Sequence, residues 1–162
     1  MQTRQGVLRQ LDQEWERMAE GLCGRRAVRG WGAGEPLFDG VRSLGALVER
    51  INERGRAEES DAIILVLLRH AAEDDLAART VLQAMMPAIK NLTSKFSTCG
   101  AWNAEETAAV VVAAMWERIR TYPIERRPRK VAANLALDTR QRVWRSGHKL
   151  VHGRLPPRAK AA

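Results

Sequence analysis

The sequence predicts an all-α protein, a compact multi-helix bundle. Three observations carry that reading. Ala, Leu, Val, Arg and Glu dominate the composition, which favours helix over sheet. Apolar residues recur at three- and four-residue spacing through most of the chain. No segment alternates apolar and polar residues as a half-buried strand does, and no internal repeat is present. At 162 residues, 45% of them hydrophobic, the chain can bury a real core.

Val7, Leu8, Leu11, Trp15, Met18 and Ala19 give Gln5–Glu20 one apolar face, and Gly21 and Gly24 end that helix. Gly30, Gly32, Gly34, Pro36 and Gly40 predict a loop over Arg25–Gly40, with Trp31, Leu37 and Phe38 folding back onto the body. Ser43 caps a short helix over Leu44–Arg54. Ser60 or Asp61 opens the next, which reaches about Ala72 through Ile63, Ile64, Leu67 and Leu68. Asp74 and Asp75 favour a helix start by their charge, and the pattern from Leu76 runs to Phe96 with a kink or break at Pro87. Asn103 with Glu106 is a capping-box start for Ala104–Arg120. Pro123 and Pro128 bracket an arginine-rich loop, and Pro128 suits the first turn of a last helix that ends near Trp144. These elements divide into an N-terminal helical extension (1–72) with a Gly-rich loop at about 21–42, a second helical unit (73–146) and a flexible basic tail (147–162).

Charge is concentrated at one end. From Arg118 to Ala162 there are 13 Lys and Arg against Glu125 and Asp138, a net of +11. The chain's totals of 27 and 19 then leave 14 basic and 17 acidic residues before it, a net of −3. A local cationic patch of this size attracts phosphates, and nucleic acid is the first partner it implies. The bland alternative is a solvated basic face with a loose tail.

Other classes find less support. No stretch approaches the roughly 20 apolar residues of a membrane span, and the N-terminus lacks a signal-peptide core. Cys23 and Cys99 lie far apart, as free thiols do in a reducing compartment, so a cytoplasmic protein is expected. No phosphate loop, nucleophile elbow or catalytic carboxylate pair appears, so neither an enzyme nor a cofactor is expected. His148 and His152 stand four apart without a further ligand, too little for a metal. Trp102, Trp116 and Trp144 read as core or boundary side chains, with base stacking the second choice.

One arrangement is more specific. Val81-Leu82-Gln83-Ala84-Met85-Met86-Pro87-Ala88-Ile89 is followed by Glu105-Glu106, then Met115-Trp116-Glu117-Arg118-Ile119, a proline- and arginine-containing loop, and Asn134-Leu135-Ala136-Leu137-Asp138 with Arg140 and Arg142 after it. In order and spacing, Leu76 to Arg145 resembles region 2 of the sigma-70 family of RNA polymerase sigma factors, of the extracytoplasmic-function type, without the C-terminal helix-turn-helix domain. The resemblance implies an all-helical fold and a transcription-related, DNA-binding role. It implies contact with DNA, single- or double-stranded, through Arg126, Arg127, Arg129, Lys130, Asn134, Arg140, Arg142 and Arg145. It also implies the RNA polymerase core as a partner for Ala104–Arg120. There the family carries polar and acidic side chains, whereas this chain has Ala109, Val110 and Ala113. Arg127 likewise stands where the family has an aromatic. For Asn134, a base contact and an amide bonded to neighbouring backbone are equally open. A second function class is an interaction module that binds polymerase or a regulator through an apolar surface near Val110 and Val112.

Overall fold

Helix α4 (Ala57–Ala71) sits at the centre because it is apolar on nearly all sides: Ile63, Ile64, Val66, Leu67 and Leu68 are all buried. The computed structural model describes residues 6–153. Among them the chain forms α1 (Val7–Met18), α2 (Leu22–Trp31), a 3-10 turn at Pro36–Phe38, α3 (Leu44–Ile51), α4, α5 (Asp75–Ala84), α6 (Met86–Phe96), α7 (Ala104–Thr121) and α8 (Val131–Gly153), with no strand. The protein is therefore all-α, a multi-helix bundle. α4 packs on α3, α5, α7 and α8, and α7 packs on α5, α6 and α8. One cluster of buried side chains runs from Trp15 on α1 to Val143 on α8.

Several boundaries follow the local chemistry. The Ser43 hydroxyl accepts from Ala46 N at 3.0 Å and opens α3. The capping box is complete: Asn103 accepts from Glu106 N at 2.8 Å, and Glu106 accepts from Asn103 N at 3.0 Å. Asp74 accepts from Leu76 N and Ala77 N and starts α5. At Pro87 the chain breaks rather than kinks: α5 ends at Ala84, and Pro87 lies in the first turn of α6.

Four expectations fail for reasons of tertiary structure. Arg25–Gly40 is not all loop, because α2 occupies Leu22–Trp31. Burial of Val28 and Trp31 outweighs the poor helix propensity of Gly24 and Gly30. Gly24 is there for space: a Cβ would lie 2.7 Å from Leu44 Cδ1 and Cγ. Helix α4 starts at Ala57, before Ser60 and Asp61. Asp61 instead caps a distant helix, its Oδ1 accepting from Ala132 N of α8 at 3.0 Å. Pro128 lies outside α8, which begins at Val131 after Lys130 turns through the left-handed region at φ 53°. Helix α8 also passes Trp144 and the expected start of the tail, continuing through Gly147 to Gly153. The remainder of that tail, 154–162, lies outside the described residues.

Candidate nucleic-acid interface

The loop between α7 and α8 is held by one buried tyrosine. Tyr122 donates its hydroxyl hydrogen to the Arg127 carbonyl at 2.6 Å and accepts from Asn134 Nδ2 at 3.0 Å. The second hydrogen on that nitrogen goes to the Arg129 carbonyl at 2.9 Å, which fixes which way the amide points. Both donors of Asn134 are thus spent on its own loop. The guanidinium carbons of Arg118 and Arg127 lie 5.7 and 5.8 Å from the centre of the Tyr122 ring.

Asp138, the last residue of the Asn134–Asp138 phrase, gathers two of the arginines. Its Oδ2 accepts from Arg118 Nε at 2.7 Å and from Arg127 Nη1 at 2.6 Å. Burial alone would raise the Asp138 carboxyl, but the hydrogen bonds and charges of Arg127 and Arg118 outweigh it and hold it below the ordinary 3.8. Arg142 pairs with Glu117 at 2.7 Å, both half in solvent. Arg120 pairs with Asp75 and donates to the Ala72 carbonyl.

The structure thereby sorts the eight expected contact residues. Arg127 and Asn134 organise the loop, and Arg142 is tied to an acid. Arg126, Arg129, Lys130, Arg140 and Arg145 are exposed and form no ion pair among the described residues. The loop cations lead directly into α8. At 1.5 Å per residue, Arg140 and Arg145 follow Lys130 by about 15 and 22 Å along the helix.

Opposite faces of α8 do different work. Val131, Leu135, Thr139 and Val143 form a buried row at intervals of four, with the Thr139 hydroxyl donating to Met115 Sδ at 3.4 Å. On the outer side, Leu137, Arg140, Gln141, Trp144 and Arg145 line a shallow groove. Trp144 is 58% exposed, contrary to the expectation that it packs, while Trp102 and Trp116 are half-buried. Position 144 follows the buried Val143, and helical period alone leaves such a flank ambiguous. Periodicity likewise carried no sign of Tyr122 and Asp138 as organisers.

The surface at Val110 and Val112 is not an open apolar patch. Both are half-buried and packed against the core, with only the small Ala109 and Ala113 exposed between them. Among the described residues the large apolar side chains in solvent are Leu22, Leu137, Trp144, Leu150 and Val151, none of them on α7. No group of three or more metal-ligating side chains occurs among the described residues, and the His152 side chain lies outside them. No described helix is long and apolar enough to cross a membrane. No family model matches the chain, and neither does any curated protein or solved structure.

Proposed function

We propose that this protein binds nucleic acid through the α7–α8 loop and the outer face of α8. The observation that carries the reading is a set of five exposed cations that form no ion pair among the described residues: Arg126, Arg129 and Lys130 on a loop pinned by Tyr122 and Asn134, and Arg140 and Arg145 on α8. A pinned loop presents its charges without an ordering cost on binding, and phosphates are the repeating anions that such an array meets. The Asn134–Asp138 phrase and its flanking arginines extend the proposal to a role in transcription, by resemblance to sigma region 2. The interaction-module alternative draws no support from α7, whose valines pack inward.

The test is fluorescence anisotropy with single-stranded DNA, duplex DNA and RNA across a salt series. Neutralising five phosphates gives a logarithmic salt slope of about −4 to −5 on duplex, and about −3.5 on single strands. Replacing Arg126, Arg129 and Lys130 together by Ala reduces that slope by about 2–3 on every sequence. An unchanged slope and affinity in the triple variant, with the helical circular-dichroism spectrum intact, overturns the assignment.

A further inference from the structure

We propose that one end of the bundle holds a binding site for a small, uncharged aromatic molecule, in a recess between the end of α6, the 97–103 loop and the last turns of α8. The recess has a volume of about 160 Å³. Its floor is apolar and buried, formed by Phe96 and Val143. Four residues after Val143, on the same side of α8, Gly147 brings the helix backbone against Trp102: a Cβ there would lie 3.2 Å from two atoms of that ring. The half-buried Trp102 thereby forms one wall. Trp144 and His148, one turn apart on α8, form another, with ring centres 6.1 Å apart and planes tilted by 41°. The exposed Cys99 completes the rim from the loop.

Size and lining choose the occupant. An apolar cavity of about 150 Å³ takes a benzene-sized ring. A helix, about 10 Å across with its side chains, does not enter such a space. Besides the two indole N–H groups, the lining side chains carry only two polar groups, the Cys99 thiol and the His148 imidazole, and the thiol lies 3.8 Å from the Lys95 carbonyl. Water is poorly held against so much carbon, whereas a flat ring meets the faces and edges of four aromatic side chains. No described Asp, Glu, Lys or Arg lines the recess, so the ring it takes is uncharged. A nucleobase fits less well than a hydrocarbon-like ring, because it would bury its carbonyl and amino groups against carbon. The site therefore stands apart from the cations proposed for phosphate and shares only Trp144 with the groove of Arg140 and Arg145.

The experiment reads the thiol that lines the recess. The full chain is alkylated with iodoacetamide, and modification of Cys99 and Cys23 is followed separately by peptide mass spectrometry; Cys23, exposed on α2, is the internal control. The probes are indole, naphthalene and thymidine. Indole at about ten times its Kd slows modification of Cys99 on the order of tenfold and leaves Cys23 unchanged. Naphthalene protects in the same way, and thymidine does not. Ala101→Phe, which adds a ring to the lining from the loop, abolishes the protection. Trp144→Ala, at a side chain 58% exposed and so of little weight in the fold, weakens it several-fold, and Trp144→Phe restores most of the loss. The assignment is overturned if indole and naphthalene leave Cys99 unprotected up to their solubility limits, or if both cysteines slow equally. It is also overturned if thymidine protects as well as indole, or if protection survives both Ala101→Phe and Trp144→Ala.

Discussion

Arg127 Nη1 donates to Asp138 Oδ2 at 2.6 Å, and this bond ties the arginine-rich loop to the middle of the first half of α8. The same oxygen takes Arg118 Nε at 2.7 Å, so one carboxylate joins the end of α7, the loop and α8. An arginine that sequence alone assigns to phosphate thus serves the architecture that presents other cations.

Replacing Asp138 by Asn separates those two roles. The variant loses two charge-assisted hydrogen bonds at a side chain only 17% exposed, and its stability should fall by about 1–3 kcal/mol. At this chain length that is a Tm lower by roughly 2–10 °C, read by thermal denaturation. Nucleic-acid affinity at low salt should move the other way, because Arg118 and Arg127 are released and a negative charge is gone. The salt slope then steepens by about 1 for each arginine that reaches a phosphate. A variant that loses stability and affinity together would show that Arg127 acts only through its place in the loop.

Two glycines of α2 test why that helix was hidden in the sequence. Gly24→Ala drives a methyl to 2.7 Å from the fully buried Leu44, and overpacking should outweigh the gain in helix propensity, for a net loss of about 1–2 kcal/mol. At Gly30 nothing lies within 4 Å of a new Cβ, so Gly30→Ala should stabilise by about 0.5 kcal/mol. Urea unfolding of the two variants checks both signs.

The same contrast explains what could be read in advance. The Asn103–Glu106 box and the break beside Pro87 depend on neighbours within a few residues, and both stand where the residues put them. Helix α2 depends on Leu44, twenty residues away, and the start of α8 depends on Asp61, 71 residues away. Composition cannot carry such pairings. At the candidate site, charge density singles out a segment, but pairing decides which of its cations stay available, and pairing is a property of the fold. Asp138 and Glu117 hold Arg127 and Arg142 of the expected contacts, and Arg118 of α7 with them.

Acid should unfold the protein through two carboxylates. Burial raises Asp12, but hydrogen bonds from Lys90 at 2.9 Å and Gln83 at 3.1 Å outweigh it, and Asp12, like Asp138, sits below 3.8 in the folded state. A folded-state value depressed below the unfolded one contributes stability that is complete above the unfolded value and is lost as pH falls through the folded one. These two groups therefore leave Tm unchanged between about pH 7 and 5 and lower it below about pH 4. In Asp12→Asn/Asp138→Asn protein, Tm measured against pH should start lower and fall less steeply on the acid side.

Asn134 offers the sharpest test of position against recognition. Reading a base by a side-chain amide requires a free donor and a free acceptor side by side, and Asn134 has both donors on Tyr122 and the Arg129 carbonyl. Asn134→Ala removes both bonds and leaves the Arg129 carbonyl without this partner, a cost of about 1–2 kcal/mol to the fold. Arg126, Arg129 and Lys130 then lose their fixed arrangement, and affinity should fall by one common factor on every sequence. A base contact predicts something else, a loss of about 1–3 kcal/mol confined to ligands carrying one base at one position. Binding of wild type and Asn134→Ala to a panel of homopolymers and mixed sequences distinguishes the two. Equal losses across the panel, accompanied by a lower Tm, assign Asn134 to the loop, and the buried Tyr122 hydroxyl explains why the amide must point there.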